Sequence, residues 1–119
     1  MSQDSTEHLH LRFVSGVAII SFTTPYLQAE DLIEKVGSEL FDLVEKYECT
    51  KVLLTFDGVR LVSSSMLARV LKLHKTLAKN KGRLRLSGLS PALREVLRAS
   101  QIDRLLEVFN DDNAALAKF

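Results

Sequence analysis

The sequence predicts a single α/β domain, a mixed and mostly parallel sheet of about five strands with about four helices packed on it. Short apolar runs with strand character alternate along the chain with amphipathic stretches of helical period. No linker is long enough to divide the 119 residues, and a hydrophobic fraction of 46% suffices for one continuous core.

Residues 1–7 are polar and read as a flexible N-terminal tail, leaving residues 8–119 as the domain. Over residues 8–14, Leu9, Leu11 and Phe13 alternate with His8, His10 and Arg12, the pattern of a half-buried strand. Ser15-Gly16 supplies a turn, residues 17–22 form a β-branched apolar run, and the pair predicts a hairpin ended by Pro25. Across residues 31–47, Leu32, Ile33, Val36, Leu40, Leu43, Val44 and Tyr47 recur at three- and four-residue spacing. That period predicts an amphipathic helix.

Residues 51–56 are nearly all apolar, as expected of a strand at the sheet centre, and Asp57-Gly58 turns the chain. Ser63 is placed to cap a second helix with the stripe Met66, Leu67, Val70, Leu71, His74 and Leu77. Its outer face carries Arg69, Lys72, Lys75 and Lys79, which reads either as a solvated face or as a dock for an acidic partner. Lys81-Gly82 stops that helix and residues 84–87 alternate as another strand. Ser90-Pro91 opens a third helix with Ser at the cap and Pro at the first helical position. Residues 105–109 give a last strand, and residues 110–112 cap a final helix through Ala114, Ala115 and Leu116.

Sixteen Lys and Arg nearly cancel 15 Asp and Glu, so the net charge of +1 gives no support to a general nucleic-acid binder. A single cysteine, Cys49, excludes an intrachain disulfide and reads as an inert, half-buried thiol. No apolar stretch reaches the ~18 residues of a membrane span, and the acidic, polar start is unlike a signal peptide, so a soluble cytoplasmic protein is expected. Glycine-rich phosphate loops are missing, and His8, His10 and His74 are not spaced as metal ligands, so neither cofactor nor metal is expected.

The informative feature is Ser63-Ser64-Ser65, where a strand gives way to a helix. Amides at a helix start lack intrahelical partners and the dipole is positive there, so a phosphate on this turn is tolerated by the fold. Such a phosphate changes surface charge and shape, and so switches a binding partner without unfolding the domain. The same serines also suit plain capping with no regulation. They lack the Gly-x-Ser-x-Gly setting of a serine hydrolase nucleophile, so no catalytic residue is assigned.

The second half of the chain carries a wider pattern. It runs Asp57-Gly58-Val59, Leu61-Val62, the serine helix start, Val70-Leu71, Leu73-His74-Lys75, Gly82-Arg83-Leu84-Arg85-Leu86 and Gly88-Leu89-Ser90-Pro91. Ile102-Asp103-Arg104-Leu105-Leu106 and Asp111-Asp112-Asn113 complete it. In this order the chain is similar to the STAS domain family and resembles the bacterial anti-sigma factor antagonists. The resemblance implies a non-enzymatic regulator that binds an anti-sigma factor, itself a serine kinase with an ATP-binding kinase fold. It implies no direct contact with nucleic acid and is compatible with a homodimer.

In that family the helix start usually reads Asp-Ser-Ser-Gly with its second serine phosphorylated. The matching residues are Ser63, Ser64, Ser65 and Met66, so Ser65 inherits the acceptor role, with Ser64 as the adjacent alternative. Gln28 stands at an acidic position in the loop after the second predicted strand, and Gln101 where the family often has glycine. Gln28, Ser63, Ser64, Ser65, Met66 and Arg69 are the expected partner-binding residues. Two lost carboxylates, at positions 63 and 28, make the expected rim less negative. They also open a second reading, a phosphorylation-independent scaffold or adaptor in a stressosome-like or lipid-transporter complex.

Overall fold

The computed structural model describes residues 3–117 and residue 119. Its centre is set by strands that are apolar on both faces. Strands β2 (Leu9–Val14) and β3 (Val17–Phe22) form the expected antiparallel hairpin. Strand β5 (Lys51–Thr55) pairs parallel with β3 on one side and with β7 (Arg83–Ser87) on the other. A short β8 (Glu107–Val108) pairs parallel with β7.

Parallel pairing demands long crossovers, and helices supply them. Helix α1 (Glu30–Lys46) links β3 toward β5, α2 (Ser64–Lys79) links β5 to β7, and α3 (Pro91–Ala99) follows β7. Leu9, Leu11, Ile20, Leu54 and Leu86 meet the buried faces of these helices in one large core, which includes Val36, Leu40, Val70, Leu73 and Leu93. The alternate residues Val17, Ile19 and Leu53 point to the opposite sheet face, where Ala115 of α4 (Asp112–Leu116) covers them.

The element order and the mixed, mostly parallel sheet agree with expectation, while the strand count of the main sheet rises to six, with a further strand beyond β2 at its edge. The added strand is β1 (Gln3–Ser5), which takes up three residues of the expected tail and pairs antiparallel with β2. It has no apolar face to betray it; polar contacts hold it instead. Tyr47 Oη and Lys46 Nζ donate to Asp4 Oδ2 at 2.7 and 3.2 Å and, with the Ser5 amide, hold that carboxyl below its ordinary value. The final strand is shorter than residues 105–109, because Ile102–Arg104 coils into a 3₁₀ turn just before it.

The next segment is braced by Glu39 on α1. Thr6 Oγ1 and the His8 backbone N–H bond its Oε1, and His8 Nδ1 lies 2.7 Å from its Oε2. Glu7, His8 and Glu39 thereby come within 4.8 Å of one another, a grouping that arises across 31 residues and has no spacing signature. Burial pushes Glu39 up, but the hydrogen bonds from Thr6 and His8 outweigh it and hold the carboxyl below its ordinary value.

Arg85 is 5% exposed on the α4 side of the sheet and ties the C-terminal segment down. Its guanidinium donates to the carbonyls of Ala115 and Ala117 at 2.7 and 3.0 Å, pairs with Glu107, and lies against the rings of Phe109 and Phe119. Arg85→Ala strips these carbonyls of a buried donor and is expected to cost about 2–4 kcal/mol in chemical denaturation; Lys, lacking the planar fork, restores only part of it. For Glu39 the folded value is depressed, so its contribution is full above the ordinary 4.5 and fades as pH falls through the folded value. The urea midpoint is expected to drop on acidification below that point, and Glu39→Gln to flatten this part of the profile.

Candidate functional site

A two-stranded parallel ribbon sets the site. Strand β4 (Tyr26–Leu27) pairs with β6 (Leu61–Val62), each too short for periodicity to reveal. The Ser63 N–H donates to the Leu27 carbonyl at 2.8 Å, and the Arg60 N–H donates to the Pro25 carbonyl at 2.7 Å. The loop carrying Gln28 is thus fastened beside the start of α2, and Gln28 is exposed there.

Ser63 is the N-cap: its extended backbone leaves Oγ free to accept from the Met66 N–H at 3.2 Å. Ser64 is exposed in the first turn and Ser65 half-exposed. The first turn of α2 contains no acidic side chain, so its own sequence leaves the positive end of the dipole uncompensated.

The compensation comes from the neighbouring helix. Ser65 Oγ donates to Glu30 Oε1 at 2.6 Å, across 35 residues of sequence. The rim therefore keeps a carboxylate: the residues at positions 63 and 28 bring none, and Glu30 brings one from α1. Only the approach of two helix starts, set by the sheet, brings it there.

Two further expected contact residues are placed differently. Met66 is 0% exposed and packs in the core, so it offers nothing to a partner; its place in the apolar stripe of α2 decides its direction. Arg69 lies half-buried across α1, where a Cβ on Gly37 would stand 2.6 Å from Nη1, so its guanidinium is part of the α1–α2 packing. Of the outer basic stripe, Lys72 reaches the Phe41 ring at 5.7 Å and stays exposed. The sequence reading missed two apolar residues at this end, Tyr26 and Leu61, which face each other across the ribbon and are 49% and 47% exposed. A Tyr after Pro25 and a Leu alternating with Val62 were the only local signals.

The surface is thus a hydroxyl cluster and one carboxylate beside an exposed apolar pair. It suits protein recognition, where aromatic and aliphatic anchors sit next to polar specificity groups. Among the described residues the hydroxyl of Ser65 is hydrogen-bonded to the carboxylate of Glu30 and that of Ser63 to the Met66 N–H.

The STAS domain family model matches residues 11–115. Comparison with curated proteins gives no match. Among solved structures, an anti-sigma-factor antagonist (STAS) domain protein from Planctomyces limnophilus superposes with a TM-score of 0.81 at 23% identity, covering 94% of this chain and 97% of that one. The Bacillus cell fate determinant SpoIIAA in its phosphorylated form gives 0.66 at 19% identity over 90% and 96% of the two chains. A sulfate transporter family protein from Wolinella succinogenes gives 0.71 at 21% identity over 87% and 84%.

Losing the cap in Ser63→Ala leaves the Met66 N–H without its side-chain partner and is expected to cost about 1 kcal/mol. Met66→Ala empties a core site and is expected to cost about 2–5 kcal/mol. Comparing the two by urea denaturation tests the placement: a near-neutral Met66→Ala contradicts a buried Met66.

Proposed function

The chain belongs to the STAS domain family, and from that premise we propose that it is an anti-sigma factor antagonist that binds an ATP-dependent serine kinase through the start of α2. The observation that carries this reading is the Ser65 hydroxyl, half-exposed at a helix start and oriented by Glu30 at 2.6 Å. A hydroxyl that donates its hydrogen bond to a carboxylate turns its lone pairs outward, the orientation that attack on a phosphoryl group requires. Glu30 supplies, from α1, a carboxylate beside the serines where the family pattern has an aspartate at the position of Ser63. Tyr26 and Leu61 supply the apolar anchor for the partner, and Gln28 and Ser64 its polar margin.

Phosphorylation at Ser65 meets two opposing terms. The helix dipole and the free amides of the first turn favour the dianion, while Glu30 repels it and loses its hydrogen bond. Both act at the rim, outside the core, so the phosphate alters the binding surface and leaves the sheet unchanged. In this reading the unmodified protein holds the kinase and frees a sigma factor, and the phosphoprotein releases the kinase.

The substitution of Ser63 for the family aspartate, and the fold shared with a sulfate transporter family protein, favour a second reading: a phosphorylation-independent adaptor. The two separate on one experiment. Incubated with ATP and the serine kinase it captures, the wild-type protein is expected to gain the mass of one phosphate, and Ser65→Ala none. Ser65→Asp is expected to keep the wild-type melting temperature and to bind that kinase at least about tenfold more weakly, a loss of ~1.4 kcal/mol. Unmodified wild type together with full binding by Ser65→Asp rejects the phosphoswitch and leaves the adaptor.

A further inference from the structure

Helices α1 and α2 start together at the serine end, and they also finish together about 20 Å away, given a rise of ~1.5 Å per residue. There the last turns of the two helices and the connection into β5 enclose an open groove of about 460 Å³. Its floor is apolar, formed by Phe41, Cys49 and Leu77; its rim is Asp42, Glu45 and Glu48, and no basic side chain lines it. Burial raises the Cys49 thiol above its ordinary value, as an apolar floor requires.

The rim charges stand against the preferences of the fold. Carboxylates at the end of a helix meet the negative end of its dipole, which favours cations there. Glu45 lies in the last turn of α1, Asp42 one turn before it, and Glu48 just beyond in a left-handed conformation with φ 47° that glycine or asparagine adopts more easily. None of the three makes an ion pair among the described residues, although Lys46, in the same turn, pairs with Asp4. Lys46 and Lys79, the lysines of the last turns of α1 and α2, do not line the groove, and Lys72 lies over the Phe41 ring. Within the groove itself, three carboxylates without an ion pair among the described residues therefore border one apolar floor.

We propose that this groove is a second docking surface, for a basic amphipathic segment of a partner protein. An apolar side chain of that segment rests on Phe41, Cys49 and Leu77, and flanking Lys or Arg residues meet Asp42, Glu45 and Glu48. The same charges repel nucleic acid and anionic lipid. The proposal does not rest on the serine site: the two surfaces lie at opposite ends of the same helix pair, so one domain can hold two partners at once.

The test uses the full chain and a synthetic amphipathic helix of Leu and Lys, with a Leu and Glu helix as control. Titration of isotope-labelled protein with the Leu/Lys peptide is expected to shift amides over residues 41–50 and 76–80 and to slow alkylation of Cys49 by iodoacetamide several-fold. The Leu/Glu peptide and phosphatidylserine vesicles are expected to do neither. Glu45→Lys with Glu48→Lys is expected to weaken Leu/Lys binding at least about tenfold with an equal or higher melting temperature, because lysine agrees with the dipole. If that variant misfolds, Glu45→Gln with Glu48→Gln is expected to weaken binding less but measurably. Ser65→Asp is expected to bind the peptide as wild type does, which separates this surface from the serine site. Unchanged binding by the charge variants, shifts outside these segments, or equal binding of the Leu/Glu peptide or the vesicles overturns the proposal.

Discussion

Everything positioned in this domain depends on the parallel register of three buried strands, in which Ile20 pairs with Leu54 and Leu54 with Leu86. These residues are fully or almost fully removed from water, and each buried aliphatic side chain contributes on the order of 2 kcal/mol. Parallel strands cannot be joined by tight turns, so each connection must cross back over the sheet. Since α1 and α2 both make that crossing on one face, their N-termini gather at the carboxyl ends of the strands and their C-termini at the other. A hydroxyl-rich recognition surface and an acidic groove at opposite poles follow from this single pairing rule.

At the serine pole the register converts a deficit in one helix into a contact between two. Helix α2 begins with three serines and no acid, and α1 begins with Glu30 and Asp31. Side by side, the acidic turn of α1 faces the unshielded amides of α2, and the Ser65–Glu30 hydrogen bond is the point of closest exchange. A carboxylate contributed from a neighbouring element serves the same electrostatic purpose as one at the cap. It also allows Ser63 to act as a simple N-cap, a task for which serine and aspartate are nearly equivalent.

What the sequence made legible was whatever burial imposes with a period. The alternation Leu9, Leu11, Phe13 and the helical stripes of α1 and α2 lead directly to the core, and Met66 belongs to that stripe even though the family pattern suggested a surface role. Strand β1 stayed hidden because Gln3, Asp4 and Ser5 have no apolar member; its place is fixed by Tyr47 and Lys46, more than 40 residues away. The β4–β6 ribbon is only two residues long on each side and carries no period. Glu30 and Arg69 acquire their roles from helix proximity, which requires the sheet register to be known first. Family resemblance located the site and periodicity the core, but the partners of each polar group came only with the fold.

Helix α1 separates charges that serve folding from charges that do not. Its N-terminal Glu30 and Asp31 agree with the dipole, and Glu39 is repaid by hydrogen bonds from Thr6 and His8 that tie down the N-terminal segment. Asp42, Glu45 and Glu48 have neither the dipole nor, among the described residues, an ion-pair partner in their favour. A helix optimised for stability alone would place lysine or arginine there. These three exposed carboxylates beside an apolar floor are the charges that the proposed basic segment would meet.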